Sequence, residues 1–223
     1  MRELGVVMLD TRFPRLRGDV GCAQTFAFPV RYRVVPGAVP RRVVVERDLT
    51  LLEPFIAAAR ALESEGCAAI TTSCGFLALF QHEMQAAVAV PVWTSSLLLV
   101  AGLEAALPAG RRAGIVTADA ASLTAAHLRA AGAPGDAPIE GLAPGSAFHR
   151  TLLDNRPELD AAEAEAATVA AATRLVARYP KLGAIVLECT NMPPYADAVR
   201  AATLLPVHDI TTLIAARFAA SAP

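Results

Sequence analysis

One part of this sequence repeats another at a constant offset of 115 residues (189 − 74), and this repeat constrains the fold more than any other feature. The stretch AAITTSCGFLALFQHEMQAAVAVPVWTSSLL, which begins at Ala68, aligns without a gap with GAIVLECTNMPPYADAVRAATLLPVHDITTL, which begins at Gly183. The alignment pairs Cys74 with Cys189. A register held over this length is typical of a duplicated structural unit. We therefore expect two similar halves, each carrying one of these cysteines.

Local sequence patterns predict an α/β fold in both halves. Short runs rich in valine and isoleucine alternate with longer alanine- and leucine-rich segments of helical period, which is typical of βαβ units. The predicted strands span residues 4–9, 42–45, 68–72, 90–93, 113–117, 139–142, 184–187 and 205–208. The predicted helices span residues 49–64, 76–87, 95–106, 121–131, 158–179 and 193–202. We expect two similar three-layer α/β domains with mostly parallel sheets, related by a pseudo-two-fold axis, with the active site in the cleft between them.

The segment 11–42 fits neither pattern, because it mixes prolines with arginines and is too long for an ordinary connection between a strand and a helix. We interpret it as a functional lid or flap. Its arginines could hold a second substrate carboxylate through bidentate contacts, and Arg31 is a weak candidate for this role. An exposed basic loop is the alternative interpretation.

Composition and charge exclude several classes of partner. The net charge is −1, so the chain has no basic field with which to bind nucleic acid. The uncharged stretch 86–103 approaches the length of a membrane span, but Pro91 interrupts it, so we expect no membrane association. The N-terminus MRELGVVMLD lacks the apolar stretch of a signal peptide, which predicts a cytoplasmic protein with reduced thiols.

The repeat pairs two of the four cysteines and leaves the other two without a partner. Cys22, Cys67, Cys74 and Cys189 form no C-x-x-C pair and no Cys/His spacing of a structural zinc site, so we expect no metal. Cys22 and Cys67 have no partner in the repeat and are interpreted as ordinary packing residues. The repeated pair is interpreted as functional, since a disulfide between its members would be unusual in a reduced compartment.

Each cysteine of the repeated pair ends a predicted strand and opens a predicted helix. Ligands bind at the carboxyl ends of strands in open parallel sheets, so both thiols are expected at a site. The positive end of a helix is expected to lower the pKa of each thiol. With the two halves face to face, Cys74 and Cys189 would approach a substrate from opposite sides. One thiolate would remove a proton from carbon while the opposite thiol donates one, which inverts the stereocentre without a cofactor.

The residues around the cysteines are of types that bind a carboxylate. Small hydroxyl and amide donors beside free backbone N–H groups make an anion site. The candidate substrate-binding residues are Asp10, Ser73, Gly75, Thr117, Thr190, Asn191 and His208, with Arg31 as the weak addition named above. Helix capping is the alternative role for the serine, threonine, asparagine and aspartate residues, and a surface position is the alternative for the histidine.

The two motifs around the cysteines resemble those of the aspartate/glutamate/hydantoin racemase superfamily. The likeness rests on TTSCG at 71–75 and LECTNMPPY at 187–195, with PVWTSS and PVHDITT closing the two halves. In that superfamily two similar α/β domains each supply one catalytic cysteine, and no cofactor is used. The resemblance implies one domain from residues 1–94 plus 206–223 and a second from residues 95–205. It also implies a homodimer.

Departures from the superfamily's motifs bear on the substrate. Aspartate and glutamate racemases usually have Cys-Asn-Thr where this chain has Cys74-Gly75-Phe76, and they commonly have His or Glu at the position of Asn191. Related decarboxylases of arylmalonates keep a single cysteine of the two. We therefore expect a small substrate that bears a carboxylate, without naming aspartate or glutamate.

The sequence leads to one preferred function and two alternatives. We predict a cofactor-independent racemase or epimerase that inverts the carbon next to the carboxylate of a small amino acid or related acid, with Cys74 and Cys189 as the catalytic pair. A decarboxylase or a cis–trans isomerase of a small dicarboxylate is the enzymatic alternative. A two-lobed small-molecule binding protein without turnover is the alternative from a different class.

Overall fold

The computed structural model describes residues 2–220, and the side chains of residues 2–218, as two parallel sheets of four strands each. The first sheet contains β1 (Leu4–Met8), β2 (Val30–Val34), β3 (Ala69–Thr72) and β4 (Val92–Trp93), in the order β2-β1-β3-β4. The second contains β5 (Arg112–Thr117), β6 (Ile139–Gly141), β7 (Leu182–Leu187) and β8 (Val207–His208), in the order β6-β5-β7-β8. The same strand order in both sheets confirms the predicted α/β fold with two similar halves.

Helices cover the sheets and fill the connections between strands. They are α1 (Pro40–Val44), α2 (Leu52–Ser64), α3 (Gln81–Ala86), α4 (Val100–Ala106), α5 (Ala125–Ala130), α6 (Ala147–Leu153), α7 (Ala161–Arg178), α8 (Ala196–Thr203) and α9 (Ile210–Ala220). Short 3-10 turns span Ala23–Thr25, Leu49–Leu51, Gly75–Phe80, Ser96–Leu99 and Pro193–Tyr195. Several predicted helices therefore begin with a 3-10 turn before they become α-helical.

The longest helix of each half lies at an equivalent place, before the strand that leads to the cysteine. α7 begins where Asp160 accepts hydrogen bonds from the backbone N–H groups of Ala162 and Glu163, which have no partner within the helix. It buries Ala171 and Leu175, and it contacts β5 and β6. α2 contacts the equivalent strands, β1 and β2, and also β3. The two halves thus repeat this helix as well as the strands.

The structure differs from the prediction at two places in and beside segment 11–42. One strand was not predicted, and a predicted strand at the end of the segment is a helix. Val30–Val34 forms β2, an edge strand whose alternating arginines leave it half exposed. The predicted strand at 42–45 is wrong, because Pro40–Val44 is a helix with proline in its first turn, where the missing N–H costs nothing. Adjacent Val43 and Val44 are both buried, which also fits a strand and explains the error.

The chain crosses between the halves after each fourth strand. α4 follows β4 and packs against β5 of the second sheet. α9 follows β8 and packs in a core with Leu4, Val6 and Trp93 of the first half. β8 itself pairs with β7 in the second sheet, although the predicted boundary assigns residues 206–223 to the first domain.

The two halves share polar and apolar contacts close to the ends of β3 and β7. The hydroxyl of Ser96 donates a hydrogen bond to the carbonyl of Leu187 (2.8 Å). The ring of Phe76 meets the ring of His127 edge-on, with 5.3 Å between their centroids. These contacts bring the carboxyl ends of the two sheets together at one cleft.

Candidate active site

Cys74 and Cys189 line the same cleft between the two halves. Cys74 follows β3 and Cys189 follows β7, so both lie at the carboxyl ends of parallel strands, where ligands bind in open α/β sheets. The cleft has an empty volume of about 390 Å³, and only 9% and 8% of the two cysteines is exposed. The structure thus brings together the two residues that the repeat pairs.

The lining of the cleft is partly apolar and partly polar. Leu9 and Phe13 of the first half and Leu152 and Leu153 of the second are among its apolar residues. It also contains the two cysteines and the residues next to them, Ser73, Gly75, Glu188, Thr190 and Asn191. Among the described residues that line the cleft, none is arginine, lysine or histidine. A ligand's carboxylate would therefore be held there by neutral donors.

Burial raises the pKa of both thiols, which contradicts the predicted lowering by a helix start. The pKa of Cys74 is raised to about 12, first by burial and then by the charge of Glu188. That of Cys189 is raised well above its ordinary value by the same two causes. Backbone N–H groups do oppose the shift, from Phe76 and Leu77 at Cys74 and from Asn191 at Cys189. Their effect is smaller than the loss of water around the thiols.

Glu188 is a functional candidate that sequence reasoning missed. Its side chain is fully buried at the end of β7, where the hydroxyl of Thr117 donates a hydrogen bond to Oε2 (2.6 Å). Its Oε1 has no hydrogen-bond partner among the described residues. Burial raises the pKa of this carboxyl to about 7, although the bond from Thr117 opposes the shift. A glutamate that ends the apolar run AIVLE and directly precedes the cysteine was the signal in the sequence.

Gly75 is required by the position of Glu188. A Cβ atom added to Gly75 would overlap both the side-chain Oε1 and the backbone carbonyl of Glu188. The carboxyl group of Glu188 therefore lies beside Gly75, which follows Cys74 in the chain. The backbone of Glu188 leads directly into Cys189. Glu188 links the surroundings of the two cysteines.

Cys189 is connected to the first half through a chain of polar contacts. Its thiol donates to Oδ1 of Asn191 (3.6 Å), and Nδ2 of Asn191 donates to Asp19 (2.5 Å). Asp19 is buried and forms an ion pair with Arg15 (3.2 Å), which also donates to the hydroxyl of Thr11 (2.7 Å). The arginine of segment 11–42 that belongs to this chain of contacts is Arg15, which does not line the cleft, and the predicted Arg31 takes no part in it.

The loop that carries Asp19 is held against the second half by a close backbone contact. Gly18 has φ +104°, and a Cβ atom there would lie 2.9 Å from the backbone of Pro194. Both the conformation and the approach favour glycine. Thr11 and Phe13 of the same segment line the cleft, so its first part forms a wall of the site. Whether it opens and closes as a lid stays a prediction.

Four of the predicted binding residues lie in the lining of the cleft. Ser73 Oγ accepts a hydrogen bond from the backbone N–H of Leu9 (2.9 Å). Its carbonyl accepts one from the hydroxyl of Thr190 (2.6 Å), which joins the two halves directly between the cysteines. Gly75 and Asn191 are the other two. Their roles toward a substrate stay predictions.

The other four predicted binding residues lie outside the lining. Thr117 is buried behind Glu188, and Asp10 accepts a hydrogen bond from the backbone N–H of Gly37 (3.0 Å). His208 lies on β8, where burial lowers its pKa. Arg31 is on β2 and forms ion pairs with Glu3 and Glu65 on the surface. The strand-end rule places a residue at the correct edge of a sheet, but it does not say which way the side chain points.

Within the part of the chain that the structure describes, no three or more His, Cys, Asp or Glu side chains are grouped in a way that could hold a metal ion. No helix within those residues combines the length and apolarity needed to cross a membrane.

Comparison with known proteins identifies the family. Residues 54–218 match the family described as Asp/Glu/Hydantoin racemase. The chain therefore belongs to the Asp/Glu/hydantoin racemase family, as the two cysteine motifs predicted.

Among individual proteins, the chain is similar to enzymes that are named lyases, although the family is named for racemases. It is 34% identical over 216 residues to a dimethylsulfoniopropionate lyase of Durusdinium sp. clade D, which covers 93% of this chain and 71% of that protein. It is 33% identical to dimethylsulfoniopropionate lyase 7 of Emiliania huxleyi, over 94% of this chain and 64% of that protein. The chain is thus shorter than both relatives.

A solved structure supports the fold. The chain superimposes on an unliganded arylmalonate decarboxylase with a TM-score of 0.63 at 18% identity, over 100% of this chain and 94% of the other. At this identity the similarity concerns the fold alone. Together with the family match, it shows that the two-sheet architecture is that of a known family.

Proposed function

We propose that this protein is a cofactor-independent lyase that cleaves dimethylsulfoniopropionate or a closely related small carboxylate. A cysteine thiolate would remove the proton from the carbon next to the carboxylate. The observation that supports this most is the buried pair Cys74 and Cys189 at one cleft, in a chain 34% identical over most of its length to a dimethylsulfoniopropionate lyase. Removal of such a proton is also the step that a racemase of this family would need.

The proposed reaction balances without an oxidant or another reactant. The thiolate takes a proton from C2, and the electrons of that C–H bond form the double bond between C2 and C3. The C3–S bond breaks, and its electron pair leaves with sulfur as dimethyl sulfide. Acrylate remains, and the proton stays on the cysteine until it passes to water. Elimination needs a base for one proton only, so it does not require both cysteines to act as bases.

The lining of the cleft suits a ligand with a carboxylate at one end and a methylated cation at the other. The hydroxyls of Thr11 and Ser73 each accept one hydrogen bond from the protein, so each keeps its own hydrogen for a carboxylate. The rings of Phe13 and Phe76 line the cleft and offer apolar contacts to the methyl groups of a sulfonium. One face of Phe13 is already covered by the guanidinium of Arg15, which lies 4.7 Å from the ring centroid. No cationic side chain in the described lining opposes a sulfonium.

Headspace gas chromatography tests the proposal directly. The purified protein is incubated with dimethylsulfoniopropionate, dimethyl sulfide is measured in the gas phase, and acrylate is measured by proton NMR. We expect equal amounts of both products, and their loss in the double variant Cys74→Ala/Cys189→Ala. Failure of the native protein to release dimethyl sulfide, under conditions where a related lyase does so, would contradict it.

A second candidate function is racemisation or epimerisation of a small amino acid or related acid. The presence of cysteines at equivalent positions of both halves favours it, because inversion uses one base on each face of the carbon. A panel of amino acids, hydantoins and 2-hydroxy acids in deuterated water tests it. Solvent deuterium entering one of them with loss of optical purity would support racemisation over elimination.

We also propose that the protein is a homodimer, as the family resemblance implied. Size-exclusion chromatography with light scattering tests this. A mass twice that of the chain's 23.3 kDa is expected, and the mass of a single chain would contradict it.

A further inference from the structure

Glu188 has an environment that neither protein packing nor the proposed reaction explains. It is fully buried, and among the described residues its carboxyl has one hydrogen bond, from Thr117 to Oε2, while Oε1 has no partner. A buried polar atom without a partner lowers the stability of the fold, so its presence in a native structure calls for an explanation. Oε1 lies against Gly75, the neighbour of Cys74, and the backbone of Glu188 continues into Cys189.

The groups that face this carboxyl make its charge state important for both thiols. Thr117 on β5 is a neutral donor, and the 3-10 turn that follows β3 contributes Cys74 and Gly75. Of the charged groups from segment 11–42, Arg15 favours the thiolate of Cys74 and Asp19 opposes that of Cys189. A carboxylate at Glu188 opposes both thiolates, and in a buried site such repulsion is weakly screened.

We propose that Glu188 is a positioning residue that controls ionisation of both cysteines: the protonated carboxyl permits a thiolate in the cleft, and the carboxylate opposes it. This role rests on the proposed function in that a thiolate is the base. Oε2 accepts the hydrogen bond from Thr117, and Oε1 has no partner among the described residues. Burial therefore favours the neutral acid over the anion, because the one bond from Thr117 does not replace the water that the carboxylate loses.

Alkylation of the cysteines over a range of pH tests this role without a substrate. Native protein and Glu188→Gln are treated with iodoacetamide between about pH 5 and pH 9, where the carboxyl titrates, and each cysteine's rate is measured by peptide mass spectrometry. Glutamine keeps the shape of the side chain and is neutral at every pH. We expect equal rates at low pH for native and variant. The variant should become faster as pH rises through about 7, the pKa of Glu188.

The size and pH dependence of the rate ratio separate an electrostatic role from a structural one. Removing one nearby negative charge should lower a thiol pKa by about one unit, which gives about tenfold faster alkylation at high pH. A ratio that is the same at every pH, or that never rises, would overturn the proposal. Cys22 lies outside the cleft lining and is half-buried, so its ratio should stay at one throughout and serves as the internal reference.

A second variant keeps the carboxyl and changes only its partner. Thr117→Val removes the hydrogen bond that stabilises the ionised form of Glu188. The pH at which the rise of the alkylation rate with pH becomes less steep should therefore move upward. A downward shift would overturn the proposal even if Glu188→Gln failed to fold. Because alkylation needs no turnover, a protein that releases no dimethyl sulfide could still show the expected ratio, and an active lyase could lack it.

Discussion

The turn after β3 and the turn after β7 have the same fold but different chemistry. The repeat places Ser73 opposite Glu188 and Gly75 opposite Thr190, on either side of the paired cysteines. These differences are complementary across the cleft. Glu188 fills the space that Gly75 leaves empty, and the hydroxyl of Thr190 donates to the carbonyl of Ser73. The halves have diverged so that each turn completes the other.

The difference also makes the two cysteines unequal. Cys74 accepts two backbone N–H groups and lies near the positive charge of Arg15, all of which favour its thiolate. Cys189 accepts one, and after burial its thiolate is opposed by Glu188, Cys74 and Asp19. Cys74 is therefore the thiol of the pair that ionises more readily and the preferred candidate for the base. Such inequality suits an elimination, which uses one base, more than an inversion with two equivalent bases.

Replacing each cysteine in turn should give the largest and most informative effect. We expect Cys74→Ala to lower kcat/KM for release of dimethyl sulfide by about a thousandfold, the typical contribution of a general base. Cys189→Ala should cost about tenfold less than that. Thermal unfolding checks that both variants fold. Equal losses in the two variants would mean that the turns are equivalent and would favour the racemase.

Adding one methyl group at Gly75, in the turn after β3, should disrupt its packing against Glu188, in the turn after β7. In Gly75→Ala the new Cβ would overlap Glu188, so we expect a loss of about 3 kcal/mol in the free energy of unfolding, at the upper end for overpacking. Urea denaturation measures it. Gly102→Ala is the matched control, because its Cβ would meet nothing within 4 Å in α4 and should leave stability unchanged or slightly higher. Equal effects of the two changes would show that Gly75 and Glu188 are not in close contact.

The carboxyl that only the second turn possesses should make stability depend on pH. The folded pKa of Glu188, about 7, lies above its ordinary value of 4.5, so folding favours the protonated form. That contribution is fully present below about pH 4.5 and is lost as pH rises to about 7, by about 3 kcal/mol in total. Unfolding free energies of native protein and Glu188→Gln should diverge over this range. Parallel curves would show that Glu188 does not titrate there.

The polar chain that reaches Cys189 from the first half should contribute a smaller amount. Asp19→Asn removes the charge from a buried ion pair with Arg15, and we expect a loss of about 2 kcal/mol in the free energy of unfolding. Asp154→Asn, in the exposed pair with Arg156, is the control and should cost less than about 1 kcal/mol. If both substitutions had the same small effect, Asp19 would not hold the segment in place.

The sequence was most informative where the two halves are alike. Duplicated apolar runs and one constant register predicted two sheets of the same kind and placed Cys74 and Cys189 at equivalent strand ends. These features depend on period and spacing, which a sequence displays directly. The edge strand Val30–Val34 escaped because it lies in a segment rich in proline and arginine, although Val30 and Tyr32 pack against the core.

Features that depend on burial, or on contacts between distant parts of the chain, could not be predicted in the same way. The direction of the thiol pKa shift follows from how completely the cleft excludes water, which the residue types alone do not state. Arg15 was one arginine among several in its segment until the fold paired it with Asp19. Glu188 became important only when its contact with Gly75, in the other half, was visible.

Dimethylsulfoniopropionate carrying two deuterium atoms at C2 provides the most direct test of cysteine-mediated proton removal. The products of the native protein and of Cys74→Ala are analysed by mass spectrometry and NMR. We predict that native protein forms acrylate with one deuterium left at C2, more slowly than from unlabelled substrate, and that Cys74→Ala forms almost none. A product that retains both deuterium atoms, or an unaffected variant, would contradict the account.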